Sequence, residues 1–594
     1  MISLKHKISS YLSKAKHYLG SFLFFKSSGR VSQVDIDKKL VYSLSPRKIP
    51  NGRQLKYLSK FLNPRENLII KICAVIILAN LIYLGFFWAN RYVKNVPMAG
   101  GTYIEGVVGY PKTINPLYAA SRDVDNDISR LVYSSLFRYN QHGQLENDLT
   151  ESYTISEYHK EYFITIKDDV KWHNDDNLTS EDIIFTIRLI QDENYRSPLR
   201  AELTGVSLEK VDEKTIKLTL PEAYSPFLDF LTFGILPKNI WENIGPDAAG
   251  LTDLNLKPIG SGPYKFKSLI KNKNGDLKEY NLEVNKDYYQ EKPYIKTISF
   301  KFFSDHIEAI KSFSGGHLDG LSALPFSFKS ELPSRDSINK FELMRPQITG
   351  IFFNSANNQL LVEKSVRAAL AHSIDKDDLI NEVYRGAYLP ADSPILSNSF
   401  AYNNATEKYN YDVIKALELL GETNLAIKLT VIDVNSNVAV AEKISSYFSE
   451  IGVTVELKIV PLEQAADILK NREFEVLLYG QAVGGDADVF AFWHSSQAGA
   501  AGLNIANYKN EEVDKLLTEA RGQASIEERK EKYFRFQEII ASDLPVIFLY
   551  SPTYTYVQNK KVKGFDGQAV IEPADRFSNI TSWYVKTKKT FSRQ

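Results

Sequence analysis

The sequence predicts an α/β protein with mixed sheets, preceded by a single transmembrane helix. Three observations carry this. Residues 68–89, "LIIKICAVIILANLIYLGFFWA", are almost wholly apolar and long enough to cross a bilayer. Segments such as "EYFITIKDDVKW" and "EKTIKLTLPEA" alternate apolar and polar residues, the period of half-buried strands. Between residues 426 and 480 strand-like and helix-like stretches alternate, the rhythm of a parallel sheet with helices packed on it.

At 594 residues the chain is long enough for two to four structural units. Its zero net charge hides an asymmetry. Residues 1–66 hold 14 Lys and Arg against three Asp and Glu, in a chain with 72 of each kind, so the remainder is acidic. A basic arm before an apolar span places the arm in the cytoplasm and the body outside. The span starts too far into the chain for a cleaved signal peptide. Within the arm, Leu4, Ile8, Leu12, Ala15, Leu19 and Phe22 recur at helical spacing. They read either as an amphipathic helix on the inner leaflet or as a flexible basic tail. Cys73 is the single cysteine and lies inside the apolar run, so no internal disulfide and no Cys-based zinc site is expected.

Beyond the span, residues 91–101 read as a linker with Pro97 and the pair Gly100–Gly101. Residues 162–172 read as a strand ending at Trp172. "GVSLEKV" pairs with "EKTIKLTLPEA" across a turn at 212–214. The stretch "VKWHNDDNLTSEDII" (170–184) gathers Asp175, Asp176, Glu181 and Asp182. Thr179 or Ser180 reads as a helix N-cap, Glu181 and Asp182 as first-turn acids, and Asp175, Asp176 and Asn177 as turn formers. These carboxylates shape a strand-to-helix turn and are not expected to hold a metal. Later, "AIKLTVIDV", "VTVELKIVP" and "EFEVLLYG" read as strands. "NSNVAVAEKISSYFSEIG" and "LEQAADILKN" between them read as helices. There is no G-x-S-x-G or H-E-x-x-H, and the nine His are scattered, so no enzyme activity is expected.

Several blocks, in order, resemble one family. "DLTESYTISEYHKEYFITIKDDVKWHNDDNLTSEDIIFTI" is similar to the signature of the family 5 extracellular solute-binding proteins, the oligopeptide-, dipeptide- and nickel-binding components of ABC importers. Leu149, Glu151, Ser152, Tyr153, Val170, Lys171, Trp172, His173, Leu178, Thr179, Glu181 and Asp182 stand at matching places. Asp176 stands where the family turn has Gly. "TINPLY", "LVYSSLFRYNQHGQLENDL", "PIGSGPYKF", "FFNSANNQLLVEKSVRAALAHSIDKDDLI", "FWHSSQAGAAGLNIANYKNEEVDKLLTEA" and "RKEKYFRFQEIIASDLPVIFLY" extend the resemblance over residues 101–570.

The resemblance implies a bilobed periplasmic-binding-protein type II fold. The implied organisation is a basic arm (1–66), a signal-anchor helix (67–90), a linker (91–101), lobe I (101–345 with 550–594) and lobe II (346–549). It implies capture of a peptide or similar small solute between the lobes and delivery to an ABC permease. The expected protein is a monomer with a single membrane span, no cofactor and no nucleic-acid partner. The alternatives are a surface sensor signalling through the arm, or a family 5 binder of a non-peptide ligand such as a nickel complex.

Three segments are candidates for the cleft. "GVVGYPKTINP" supplies Tyr110 and Asn115. "QITGIFFN" supplies Gly350, Phe352 and Asn354, with only one of Phe352 and Phe353 expected to face the cleft. "LYGQAVGGDADVFAFWHSS" supplies Gly484, Gly485, Asp486, Asp488 and Trp493. Asp486 and Asp488 either contact ligand or only shape the loop, and Trp493 and His494 either contact ligand or pack. Peptide-binding relatives place an Asp before this region to pair with the peptide amino group. Here Val483, Gly484 and Gly485 stand there, so either Asp486 takes that role or a free amino terminus is not selected.

Overall fold

The structure, a computed structural model, describes residues 62–156, 159–434, 436–500, 502–523 and 525–591. The readings of residues 4–22 as a helix or tail lie outside these residues. The chain divides into two compact units, Met1–Val96 with Lys589–Gln594, and Pro97–Lys588.

In the first unit the apolar run forms the helix Pro64–Tyr92. Within Pro64–Phe87 the most apolar 18-residue stretch has a mean hydropathy of 2.4. At ~1.5 Å per residue Pro64–Phe87 exceeds the ~30 Å of a bilayer core. Its Leu, Ile and Phe side chains are exposed and Cys73 is exposed with them. Where a linker was expected, Val93–Pro97 forms a strand.

The second unit is built on three large sheets and a two-stranded ribbon, Phe137–Tyr139 with Leu145–Asn147. A seven-stranded mixed sheet has the spatial order 338–344, 553–559, 320–321, 102–108, 297–303, 277–284 and 264–271. Thr102–Val108 runs parallel to both of its neighbours, Thr297–Phe303 and Gly320–Leu321. A four-stranded antiparallel sheet packs with it, in the order 150–155, 161–166, 215–219 and 207–210. A six-stranded sheet makes the second lobe, in the order 389–390, 546–551, 347–353, 476–482, 426–432 and 454–460. Ala426–Ile432 is parallel to Thr454–Val460 and to Val476–Ala482. The helices Asn437–Glu450 and Ala465–Asn471 fall between these strands in the chain. The β-α-β-α-β reading is therefore observed, strand for strand.

The chain passes from one large sheet to the other twice. It leaves the seven-stranded sheet at Met344 and enters the six-stranded one at Gln347. It returns between Ser551 and Thr553. The two crossings are adjacent, since the Arg345 N–H donates to the Pro552 carbonyl at 3.2 Å.

The six-stranded sheet is buried on both faces. Ile351 and Phe353 belong to one core and Ile348 and Phe352 to the other. The period-2 alternation of a strand sends neighbouring side chains to opposite faces. Here both faces are covered, so neither Phe352 nor Phe353 reaches solvent.

The acidic turn at 170–184 is structural, with two corrections. The strand ends at Ile166 rather than Trp172. Asp176 stands in the place of the family Gly, the residue for a left-handed turn position, but the positive φ is at Asp175 (72°). Thr179 caps the helix Ser180–Gln191 through a capping box with Asp182. Glu181 lies between Lys210 and Lys238, both at 2.9 Å. The hydrogen bond from Lys238 leads in holding its carboxyl down at about 2.

His173 fastens the turn to the loop of "PIGSGPYKF". Its Nδ1 accepts from the Gly260 N–H at 3.2 Å and its Nε2 donates to the Gly262 carbonyl at 3.1 Å. That pattern requires the neutral ring. The loop in turn lies on the end of the helix Asp123–Val132. A Cβ on Gly260 would sit 2.0 Å from the Val132 carbonyl oxygen, so only glycine permits the approach.

The returning tail is locked to the first strand by charge. Arg576 is fully buried. Its Nη1 and Nη2 donate to the two carboxylate oxygens of Asp127 at 2.5 and 2.6 Å, and its Nε donates to Glu105 at 3.2 Å. Tyr103 and Tyr556 also donate to Glu105. Burial raises the Glu105 carboxyl to about 7 against the opposing pull of Arg576. One residue earlier, Asp575 meets Arg130 at 3.2 Å.

Burial holds the His173 imidazole at about 4, below the ~6.5 of an exposed histidine. The unfolded chain therefore takes up this proton first, and stability is lost as pH falls from ~6.5 toward about 4. Chemical denaturation of the full chain across this range should show a smaller loss for His173→Gln than for the wild type.

Candidate functional site

The main candidate is a cavity of about 610 Å³ between the two lobes. One wall comes from the helix Asp123–Val132, through Asn126 and Arg130, and from Tyr139 and residues 224–234. The facing wall is the loop after the strand Val476–Ala482, residues 483–488, with Phe492. The tail contributes Ile571 and Glu572.

The loop wall is shaped by its own carboxylates. Asp486 Oδ1 accepts from the Asp488 N–H at 2.9 Å, and Asp488 Oδ1 accepts from the Phe490 N–H at 3.1 Å. Arginines hold both from behind. Arg529, from the helix Ile526–Asp543, meets Asp486 at 2.5 Å. Arg521, at the end of the helix Glu511–Arg521, meets Asp488 at 2.7 Å and stacks on the Phe490 ring at 3.9 Å. Asp486 is raised above the usual carboxylate range by burial, with Arg529 opposing.

The lobes touch around this loop. Gly485 lies against Tyr139, whose hydroxyl would be 2.5 Å from a Cβ at that position. Ser225 Oγ donates to the Arg521 carbonyl at 2.8 Å and to the Gln523 carbonyl at 2.5 Å. The Arg521 guanidinium also lies 5.2 Å from the Tyr224 ring centre. Tyr139 donates to Asp229 Oδ1 at 2.5 Å. Burial, and then the charge of Asp486 across the cavity, raise the Asp229 carboxyl to about 6.

A second cavity of about 480 Å³ opens in the second lobe. It is lined by Lys376, Lys408, Asp392 and Tyr402. Asp392 accepts from Lys408 at 2.5 Å and from Tyr402 at 2.8 Å. Lys376 donates to the Ala391 carbonyl at 2.8 Å, and burial lowers its ammonium to about 8. A small pocket shares lining residues with both cavities. It shares Gly485, Asp486 and Ile571 with the first, and Ile395 and Leu396 with the second.

Of the residues singled out from sequence, Gly484, Gly485, Asp486 and Asp488 line the main cavity together. The others do not. Tyr110 is exposed and lines none of these cavities. Asn115 is buried, donating to Asn255 Oδ1 at 3.3 Å and accepting from the Leu117 N–H at 2.9 Å. Gly350 sits inside the six-stranded sheet, paired with Tyr479 and Phe548. Phe352 is core, and Asn354 donates to the Arg472 carbonyl at 3.1 Å. Trp493 packs on Tyr508, Phe536 and Phe548. Arg130, Tyr139, Tyr224, Asp229 and Glu572 were missed. Asp229 left one sequence signal, a lone carboxylate inside the apolar run "PFLDFLTFGIL". Among the described residues no group of three or more His, Cys, Asp and Glu is placed to hold a metal ion.

A family model described as bacterial extracellular solute-binding proteins, family 5 (middle), matches residues 144–502. The chain belongs to this family. The family 5 resemblance read from the sequence is thus the correct one. Among curated relatives, the oligopeptide-binding protein AppA of Bacillus subtilis is 27% identical over 529 residues, covering 82% of this chain and 92% of the relative. The crystal structure of the ABC transporter substrate-binding protein CtaP from Listeria monocytogenes matches with a TM-score of 0.69 at 27% identity. It covers 82% of this chain and 100% of that one. NikZ from Campylobacter jejuni, solved with Ni(L-His), matches with a TM-score of 0.61 at 26% identity, covering 81% and 99%. The bilobed α/β fold of this family 5 protein is shared with both.

Arg529 and Asp486 are both largely buried. Removing one partner strands the other's charge, at a cost of about 3–5 kcal/mol. Arg529→Met should destabilise the family 5 fold by that order, read as a lowered denaturation midpoint of the full chain.

Proposed function

We propose that this family 5 protein is a membrane-anchored solute-binding protein that captures peptides between its lobes and delivers them to an ABC import permease. The observation that carries this reading is the chain of three cavities with shared lining residues. Neighbouring cavities that share walls suit an extended chain, with side chains taken by successive pockets, better than a compact metabolite. Polar groups spaced along an apolar wall are what a backbone-held ligand needs. The name of the Bacillus relative, an oligopeptide-binding protein, points the same way.

The organisation follows the family plan. Lobe I is residues 101–345 with 550–594, and lobe II is 346–549. The two adjacent crossings act as the hinge, and closure onto ligand is a hinge motion selected by tighter binding to the closed form. Gly484, Gly485, Asp486 and Asp488 form the loop wall of the ligand site. Pro64–Phe87 is the single span, the basic arm is cytoplasmic, and the monomeric body stands outside beside its permease. This anchor replaces free diffusion with a high local concentration at the transporter.

The test uses the full chain in detergent and a mixed library of short peptides. Library peptides present at about 100 times their dissociation constant should stabilise the fold by ~2.7 kcal/mol, seen as a higher melting temperature. Native mass spectrometry should find peptide adducts. A chain that neither shifts nor retains any peptide overturns the peptide reading. Deleting residues 1–60 separates transport from sensing. Uptake that survives the deletion supports the binding-protein reading, and uptake that fails while ligand still binds favours a role for the arm.

A further inference from the structure

The cavity is lined by five carboxylates, and three of them are already neutralised. Asp486 is paired with Arg529, Asp488 with Arg521, and Glu572 with Arg130 at 3.2 Å. The single cation on the cavity wall, Arg130, is spent on Glu572, Asp575 and the Thr232 carbonyl. Asp229 and Glu202 remain. Neither makes an ion pair among the described residues, and both line the cavity. Glu202 is exposed. Asp229 is sheltered, and beyond its own backbone N–H its carboxylate accepts from the Tyr139 hydroxyl.

Asp229 also has a special position. It belongs to the segment Ser225–Leu231, which touches the second lobe through Ser225. The hydroxyl it accepts from is the group on which Gly485 rests. A ligand charge placed here therefore meets the first lobe at the point where the second lobe's loop arrives.

We propose that Asp229 is the residue of the first lobe that recognises an ammonium group on the bound ligand, fixing one end of the peptide. This inference rests on the peptide reading above. It reassigns the amino-group role that the sequence left open between Asp486 and no residue at all. Asp486 cannot serve as a free anion, because Arg529 already occupies it. The groups bearing on Asp229 are Asp486 and Arg529 from the second lobe and Tyr139 from its own. The like charge of Asp486 opposes the ionised form of Asp229, and an incoming ammonium relieves that opposition. A charge-assisted hydrogen bond in a sheltered cavity is also among the stronger polar contacts available to a ligand.

The ammonium can be the peptide's terminal amine or a lysine side chain. Three synthetic tetrapeptide mixtures distinguish them. One has free amino termini and no Lys, the second is the same mixture N-acetylated, and the third is N-acetylated but contains Lys. Binding to the full chain in detergent is read by calorimetry for the wild type, Asp229→Asn and Asp486→Asn. Asn at 229 keeps an oxygen to accept from Tyr139, so the wall is preserved. Acetylation should weaken wild-type binding at least tenfold, and recovery in the third mixture would assign the ammonium to lysine. In Asp229→Asn the ratio between free and acetylated mixtures should collapse toward one, while in Asp486→Asn it should persist. A loss of folding alone would weaken all mixtures equally and leave the ratio unchanged.

Equal wild-type binding of the first two mixtures overturns the assignment but leaves peptide capture standing. A ratio unchanged in Asp229→Asn, whatever Asp486→Asn does, also overturns it. A wild type that binds none of the mixtures sinks the peptide reading and the inference with it.

Discussion

The buried guanidinium of Arg576 is the interaction on which the first lobe depends. A buried cation needs its charge matched and its donors satisfied. Asp127 takes both terminal nitrogens, Glu105 takes Nε, and the Pro573 carbonyl takes a further bond. These partners come from three distant places in the chain, namely its first long strand, the helix Asp123–Val132 and the returning tail. The charge therefore makes the tail part of the lobe rather than an appendage. It also sets the cavity wall, because the same tail segment brings Asp575 and Glu572 to Arg130. Core and binding surface are joined through one short run of residues.

Across the cavity the logic differs. The loop wall of the second lobe is polar on its cavity side, but its charges are tied from behind by arginines on two helices. Such a wall is nearly neutral. Among the carboxylates lining the main cavity, Asp229 of the first lobe is the sheltered one that makes no ion pair with a described residue. In the assignment proposed above, one wall provides shape and the other charge. Contact between Gly485 and Tyr139 places these surfaces in register.

Much of the architecture was legible because it is written in local patterns. The strands and helices of 426–482 follow from hydrophobic period, and the Thr179 cap from a hydroxyl before two acids. The glycines of "PIGSGPYKF" stood in the sequence only as a family block, and the structure shows the Val132 carbonyl that requires one of them. The site was less legible. Phe352 and Trp493 look the same in sequence whether a face meets ligand or a second core. Here helices cover both faces of the sheet, a fact fixed by packing far along the chain. Asp486 reads as a free carboxylate until Arg529, 43 residues later, is seen to hold it. Asp229 acquires its meaning only when Tyr139 and the loop at 485 converge on it. Local rules decide elements, whereas a cavity is made by distant neighbours.

The adjacency of the two crossings has a mechanical consequence. Two strands side by side, tied by the bond from Arg345 to Pro552, resist torsion as a strap hinge does on a door. A single connecting strand would act as a swivel and let the lobes meet at many angles. The paired connection leaves one easy direction of swing. A swing about this pair therefore returns the same loop to the same tyrosine each time.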